Sequence, residues 1–207
     1  MNYEKKTITI KKVLELDPCY SEEELQLLRK KNNLEKRVSV LEILRSKIPS
    51  EDILWLVLRP DFIEEKILHE LSIIFATRAL KRERKAGREP HPYSWKAIEM
   101  KKKWLKGKAT DKELSASESA AFSAISAADS ASVSASVSAA RSAAYSSAIS
   151  AAISAAISAA DSASVSAAYS AAYSSAYPAA AWSAAYIKEK RWQIKKIINL
   201  LEKEAMK

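Results

Sequence analysis

Glycine is nearly absent. Two occur in 207 residues, where average usage would place roughly 14. Two glycines cannot supply a Gly-rich phosphate loop, a dinucleotide-binding fingerprint or the repeated tight turns of a β-sandwich or barrel. Cysteine occurs once, at Cys19, which excludes an internal disulfide framework and a zinc ribbon. A lone thiol fits a reducing compartment, and no base accompanies it as a nucleophile would need. The only imidazoles are His69 and His91, and no carboxylate set stands at metal-ligand spacing. The expectation is therefore a non-enzyme with no catalytic residues, no metal and no cofactor. Met1-Asn2-Tyr3-Glu4-Lys5-Lys6 lacks the apolar core of a signal peptide. The long, nearly uncharged stretch 115–186 is built from Ala and Ser, a poor match to a bilayer. A cytoplasmic protein with no membrane partner is expected.

What is abundant is positive charge, and it is concentrated. The chain carries +9 overall, whereas 115–186 holds three acids against Arg141. Residues 78–108 hold twelve Lys or Arg against Glu83, Glu89 and Glu99, which is +9 within 31 residues. A block of this kind suits an anionic partner, either nucleic acid, a nucleotide or an acidic protein face; it also suits a solvated lysine-rich helix surface.

The first half is punctuated as a series of short helices. Ser21-Glu22-Glu23-Glu24 forms a capping box that opens a helix fading at Asn32-Asn33. Leu34, Val38, Leu41 and Leu44 share one face of a helix predicted over 34–47, which Pro49 ends. Ser50 is placed as the cap of an almost wholly apolar helix that stops before Pro60 and belongs in the core. A long helix follows over 61–86. Its stripe of Ile63, Ile67, Leu71 and Ile74 ends on Arg78, which reads as an arginine lying along the core against a carboxylate, or as an anion anchor at a pocket floor. Gly87 and Gly107 fall where left-handed helix ends are expected. Ser94 is placed as the cap of the helix between them, and Thr110-Asp111-Lys112-Glu113 is a second capping box. Thr7-Ile8-Thr9-Ile10 alternates like a strand but lacks an evident partner, so it is read as an extended arm or the start of a helix.

From Ile125 the chain repeats in fours. Ile, Val, Tyr, Asp or Arg recurs at every fourth position to Tyr177, with Ser after each except the last and Ala or Ser between. Ala favours helix, and a period of four drifts by about 40° per tetrad around a straight helix. Closely packed antiparallel Ala/Ser rods, broken somewhere within 125–178, are predicted. The fold class is all-α: a short-helix N-terminal half, then these rods. The divisions are 1–47 for N-terminal helices, 48–110 for a helical signature region, 111–187 for the tetrad array and 188–207 for an amphipathic closing helix, together one compact unit.

The most suggestive constellation is Arg82, Arg84, Arg88, Glu89, His91, Tyr93 and Trp95. Guanidinium groups grip carboxylate or phosphate in a bidentate way, and aromatic faces stack on a base. The same residues also suit a helix–loop–helix corner stitched by Arg–Glu pairs, with Trp95 in the core.

The run from Arg78 to Glu99, with Arg82-Glu83-Arg84-Lys85-Ala86-Gly87-Arg88-Glu89-Pro90-His91-Pro92-Tyr93-Ser94-Trp95 at its centre, resembles the signature of the "immunity protein five-like" family associated with bacterial polymorphic-toxin systems. Ile53-Leu54-Trp55-Leu56-Val57-Leu58-Arg59 before it, the Ala-rich tetrads after it and the closing Arg191-Trp192-Gln193 are similar to that family as well. The resemblance spans about 48–201. The family's tetrads are rich in Trp, Arg and Asp, whereas these use Ser, Ile, Val and Tyr. The resemblance implies a non-enzymatic protein that neutralises a toxin by occlusion. Two other functions stay open on the residues: a counter-defence protein that sequesters an anionic nucleotide signal, and a nucleic-acid binder using 78–108. The corresponding partners are a protein toxin, a small anion, nucleic acid, or a second copy of the chain in a homo-oligomer.

Overall fold

Polar caps fix where the helices begin. In the computed structural model, which describes residues 3, 6–85, 87, 89–126 and 178–206, Ser21 and Glu24 exchange side-chain and backbone hydrogen bonds. Thr110 and Glu113 do the same. These boxes open α2 (Glu22–Lys31) and α7 (Asp111–Ser126). A third box, Ser39 with Glu42, opens α3 (Val40–Arg45). The other helices are α1 (Ile10–Leu14), α4 (Ser50–Val57), α5 (Glu65–Lys85), α6 (Pro92–Leu105) and α8 (Pro178–Ala205). Among the described residues, eight helices and one two-stranded ribbon make the protein predominantly all-α. The predicted rods over 127–177 lie outside the described residues. No described helix is long and apolar enough to cross a membrane.

Several boundaries differ from the sequence-based expectation. Of Thr7-Ile8-Thr9-Ile10, the last two residues do start a helix, with Thr9 the N-cap of α1, whereas Thr7–Ile8 (β1) is a paired strand rather than a free arm. It pairs antiparallel with Val38–Ser39 (β2), Thr7 opposite Ser39 and Ile8 opposite Val38. That pairing holds 38–39 extended, so the helix predicted over 34–47 begins only at Val40, where the Ser39–Glu42 box starts it. Ser50 is the first residue of α4 and not its cap; Pro49 occupies the cap position with no side-chain bond. Ser94 is not a cap either. Pro92 takes the first helical position, where its missing N–H is no loss, and His91 is the N-cap. Ser94 is then carried inside the helix and fully buried. The long helix starts at Glu65, since Phe62 and Ile63 first close a turn onto the Arg59 carbonyl and bury their side chains.

Both glycines end helices as predicted, Gly87 at φ +78° and Gly107 at φ +66°. At Gly107 the turn closes through two bonds, Gly107 N–H to the Trp104 carbonyl and Lys108 N–H to the Lys103 carbonyl. This is the arrangement that satisfies the last carbonyls of a helix and needs a left-handed residue.

Helices α5, α6 and α7 run alternately up and down. Trp95 meets Arg84 at one end of the α5–α6 pair, and Trp104 meets His69 at the other. Ala97, Leu114 and Ala121, with Met100 and Trp104 beside them, close α6 onto α7. Small residues on both sides of that seam let the helix axes approach. The main core lies elsewhere: α8 drops Ile197 and Leu201 among Val40, Leu44, Ile53, Val57, Leu71 and Phe75. This brings the N-terminal third of the chain, α5 and the closing helix into one hydrophobic cluster.

Candidate functional site

The basic corner divides into parts that do different things. Arg78 and Arg82 stand one turn apart on α5 and face α8. Their common partner is Glu189, whose side chain is fully buried. Arg78 Nε donates to both Glu189 oxygens at 2.9 Å, and Arg82 Nη2 lies 2.9 Å from Oε2. Burial pulls the Arg82 guanidinium below its ordinary value, Glu189 acts to raise it and Arg78 to lower it. The Arg78 guanidinium also lies 3.8 Å from the centre of the Trp192 ring, one helical turn beyond Glu189, and Trp192 meets Phe75 edge to face. Of the two sequence readings for Arg78, the structure gives the carboxylate-paired one.

Arg84 is turned the other way. It grips Glu89 through Nε and Nη2 at 2.7–3.1 Å, and its guanidinium lies 4.7 Å from the centre of the Trp95 ring. The pair is largely exposed. Each charge still moves its partner: the bond from Arg84 holds Glu89 below the usual carboxylate range, and Glu89 raises Arg84. Trp95 packs against the Ile73, Ala76, Ala79, Leu80 and Ile98 cluster.

His91 Nδ1 accepts a hydrogen bond from the Tyr93 N–H at 3.3 Å, and the two rings stack with centroids 5.1 Å apart. Tyr93 is 42% exposed, with Lys96 Nζ 5.2 Å from its ring centre. Thus Arg84, Glu89 and Trp95 come together, His91 and Tyr93 come together, and Arg82 belongs to the α5–α8 seam. Arg88 lies outside the described residues. The corner is stitched much as an Arg–Glu corner with an aromatic lining would be.

Sequence reasoning missed Glu189 and Trp192 as the partners of this region. The available signal was the single acid in Lys188-Glu189-Lys190-Arg191, three residues before a Trp, in a helix otherwise basic at that point. A second feature is a buried polar group where α5 meets α6. His69 is 2% exposed and Lys101 fully buried, with Lys101 Nζ 4.0 Å from the centre of the Trp104 ring. Trp104 in turn donates to Asp111 at 2.7 Å.

Six lysines of this region remain solvent-exposed, Lys81, Lys85, Lys96, Lys103, Lys106 and Lys108. Among the described residues none of them sits in an ion pair with a carboxylate. Lys102 differs, as it pairs with Glu99. Among the described residues no group of three or more His, Cys, Asp or Glu side chains is placed to hold a metal ion. No protein-family profile, curated protein or solved structure matches the chain.

Proposed function

We propose that the protein is a non-enzymatic binding protein of the immunity type, which neutralises a toxin by covering an acidic part of its surface. One observation carries this reading: six lysines spread along α5, α6 and the turn after it are exposed and in no ion pair among the described residues, while Arg84, Glu89 and Trp95 are already spent on one another. Ammonium groups that no carboxylate pairs draw a carboxylate-rich face by long-range attraction. The resemblance of 78–99 to an immunity family points the same way. Sequestration of a small nucleotide is the weaker reading, because Arg82 and Arg84, the groups best shaped for phosphate, already hold Glu189 and Glu89.

The same lysines would serve nucleic acid equally well, so the test has two arms. In the first, toxin domains of bacterial polymorphic-toxin systems are expressed one at a time with the wild type or with Lys81→Glu/Lys85→Glu/Lys96→Glu/Lys103→Glu. Protection by the wild type and its loss in the quadruple variant, with the helical spectrum unchanged, is the expected result. In the second, a random-sequence DNA duplex is titrated at several salt concentrations. Binding with a log–log salt slope near −0.9 per phosphate contacted would replace the toxin reading with a nucleic-acid one. Protection that survives all four reversals would remove the basic corner from the interface.

A further inference from the structure

The stripe of α8 that buries Ile197 and Leu201 in the main core continues toward the start of the helix. It runs back through Ile194 and Lys190 to Ile187, at alternating spacings of three and four. Its cover thins in the same direction: Ile197 is fully buried, Ile194 half-buried and Ile187 48% exposed. Opposite this stretch stands the turn from α3 to α4, Ser46-Lys47-Ile48-Pro49. Between the two lies an open groove of about 640 Å³, within the usual range of ligand sites, roughly 300–1,000 Å³. Leu44, Ile48 and Ile53 form one wall and Ile187 and Ile194 the other.

The turn is held by its own bonds. Lys47 N–H donates to Asn32 Oδ1 at 3.0 Å, and Ser46 Oγ donates to the Ile43 carbonyl at 2.8 Å and accepts from Ile48 N–H at 3.4 Å. This wall is in place before a partner arrives, which lowers the ordering cost of binding. Lys47 on the turn and Arg191 on α8 line opposite walls of the groove; both are exposed, and neither is in an ion pair among the described residues. Lys190, 3% exposed, adds a third cation on the α8 side, its Nζ 5.2 Å from the centre of the Tyr186 ring. Glu51 is the single acid of the lining.

Three cations against one acid select an anionic occupant, and the apolar walls select its body. Aliphatic walls are matched by aliphatic side chains, as in groove recognition of peptides. A nucleic-acid backbone carries none, and a membrane surface takes up protruding apolar side chains rather than entering a concave groove. We infer that this groove docks an acidic peptide segment of a partner protein, one in which carboxylates are interleaved with aliphatic side chains. The carboxylates meet Lys47 and Arg191 on the two walls, and the aliphatic groups rest on Leu44, Ile48, Ile53 and Ile194. None of the six lysines of the basic corner lines the groove, so the inference does not rest on the toxin reading.

Fluorescence anisotropy of the full chain, with a labelled peptide of three Asp-Leu-Glu-Ile-Ser repeats, tests this. The peptide is expected to bind one to one, and more weakly as salt rises. Its counterpart with Asn and Gln for the acids, and its counterpart with Ser for Leu and Ile, should each bind about tenfold more weakly or worse. Lys47→Glu/Arg191→Glu should weaken the acidic peptide about tenfold or more, since like charges then face each other. Lys81→Glu/Lys85→Glu makes the same change in net charge on the basic corner and should leave the affinity within about twofold. Ile187→Ser alters no charge and should weaken binding about fourfold, the worth of about one buried methylene. No binding up to about 1 mM, or equal weakening by the two double reversals, would overturn the site. Equal affinity of the Asn/Gln peptide would overturn the acidic partner, and equal affinity of the Ser peptide the role of the apolar walls. Displacement of the bound peptide by an equal concentration of random-sequence DNA duplex would assign the groove to nucleic acid instead. If the Lys47→Glu/Arg191→Glu variant loses its helical spectrum, Ile187→Ser and the ranking of the three peptides decide.

Discussion

Glu189→Ala is expected to lower the melting temperature by about 10 °C, the largest effect of any single change outside the apolar core. The acid is fully buried, whereas Arg78 and Arg82 keep 29% and 26% of their side chains in contact with solvent. Removing the acid leaves two cations facing each other across a seam built for three charges. Breaking a buried ion pair by deleting one partner costs about 3–5 kcal/mol, and each kcal/mol lowers Tm by about 2–4 °C in a chain of this size. The arginines should rank below it. Arg78→Ala removes a donor that reaches both carboxylate oxygens and also strips the face of Trp192. Arg82→Ala removes one contact to one oxygen and leaves Arg78 in place. The expected order of destabilisation is thus Glu189→Ala, Arg78→Ala, Arg82→Ala. Replacing all three by Met should cost less than Glu189→Ala alone, since a buried ionic triad is weak as a stabiliser but severe when half dismantled. Thermal melts followed by circular dichroism check the series. A Glu189→Ala melt within 2 °C of the wild type, a drop well under the about 10 °C expected, would show that water relieves the seam.

That seam also shows which parts of the molecule could be read from the chain. Helix starts defined by a local chemical rule were legible: Ser21 with Glu24 and Thr110 with Glu113 are capping boxes in sequence and in space. Ser39-Val40-Leu41-Glu42 has the same spacing and was missed, because the apolar stripe of Leu34, Val38, Leu41 and Leu44 favoured one longer helix. What overruled the stripe was non-local. Val38 and Ser39 bond to Thr7 and Ile8, about thirty residues away, and no window of sequence contains both strands. The same limit applied to the corner. Arg84 with Glu89, five residues apart, was readable as a pair. The partner of Arg78 was readable only as some carboxylate, since Glu189 lies 111 residues on. His91 stands between two prolines, and the rule that Pro favours the first helical position makes it the residue before the helix, the place predicted for Ser94.

Acid should destabilise the protein through His69, and the direction follows from its surroundings. The ring is buried between α5 and α6, edge to face with Trp104 at 5.1 Å, and neither ring nitrogen has a hydrogen bond among the described residues. Glu65 stands 3.5 Å from Nε2, which would favour the imidazolium, but that carboxylate is about one-third exposed. Burial acts against the charged form, and the Lys101 ammonium acts with it, so the histidine is pushed down to about 4. In the unfolded chain it titrates near 6.5. Between these values the unfolded state binds the proton and the folded state does not, so stability rises with pH across that window and falls as pH drops through it. The contribution is complete above about 6.5 and gone below about 4. The gap corresponds to about 3 kcal/mol, at about 1.4 kcal/mol per pH unit. Carboxylates elsewhere add their own acid sensitivity, so the quantity to measure is a difference. Urea unfolding of the wild type and of His69→Leu, which keeps an apolar body without a titrating group, should give a stability difference that is flat from pH 8 to 6.5. It should then move by about 3 kcal/mol in favour of the variant as pH falls to 4. Lys101→Met should shrink that movement, because the nearby ammonium no longer opposes protonation. A difference that stays constant from pH 7 to 4 would mean that His69 titrates alike in the folded and unfolded chain, and one that moves against the variant would mean that Glu65 rather than burial sets its state.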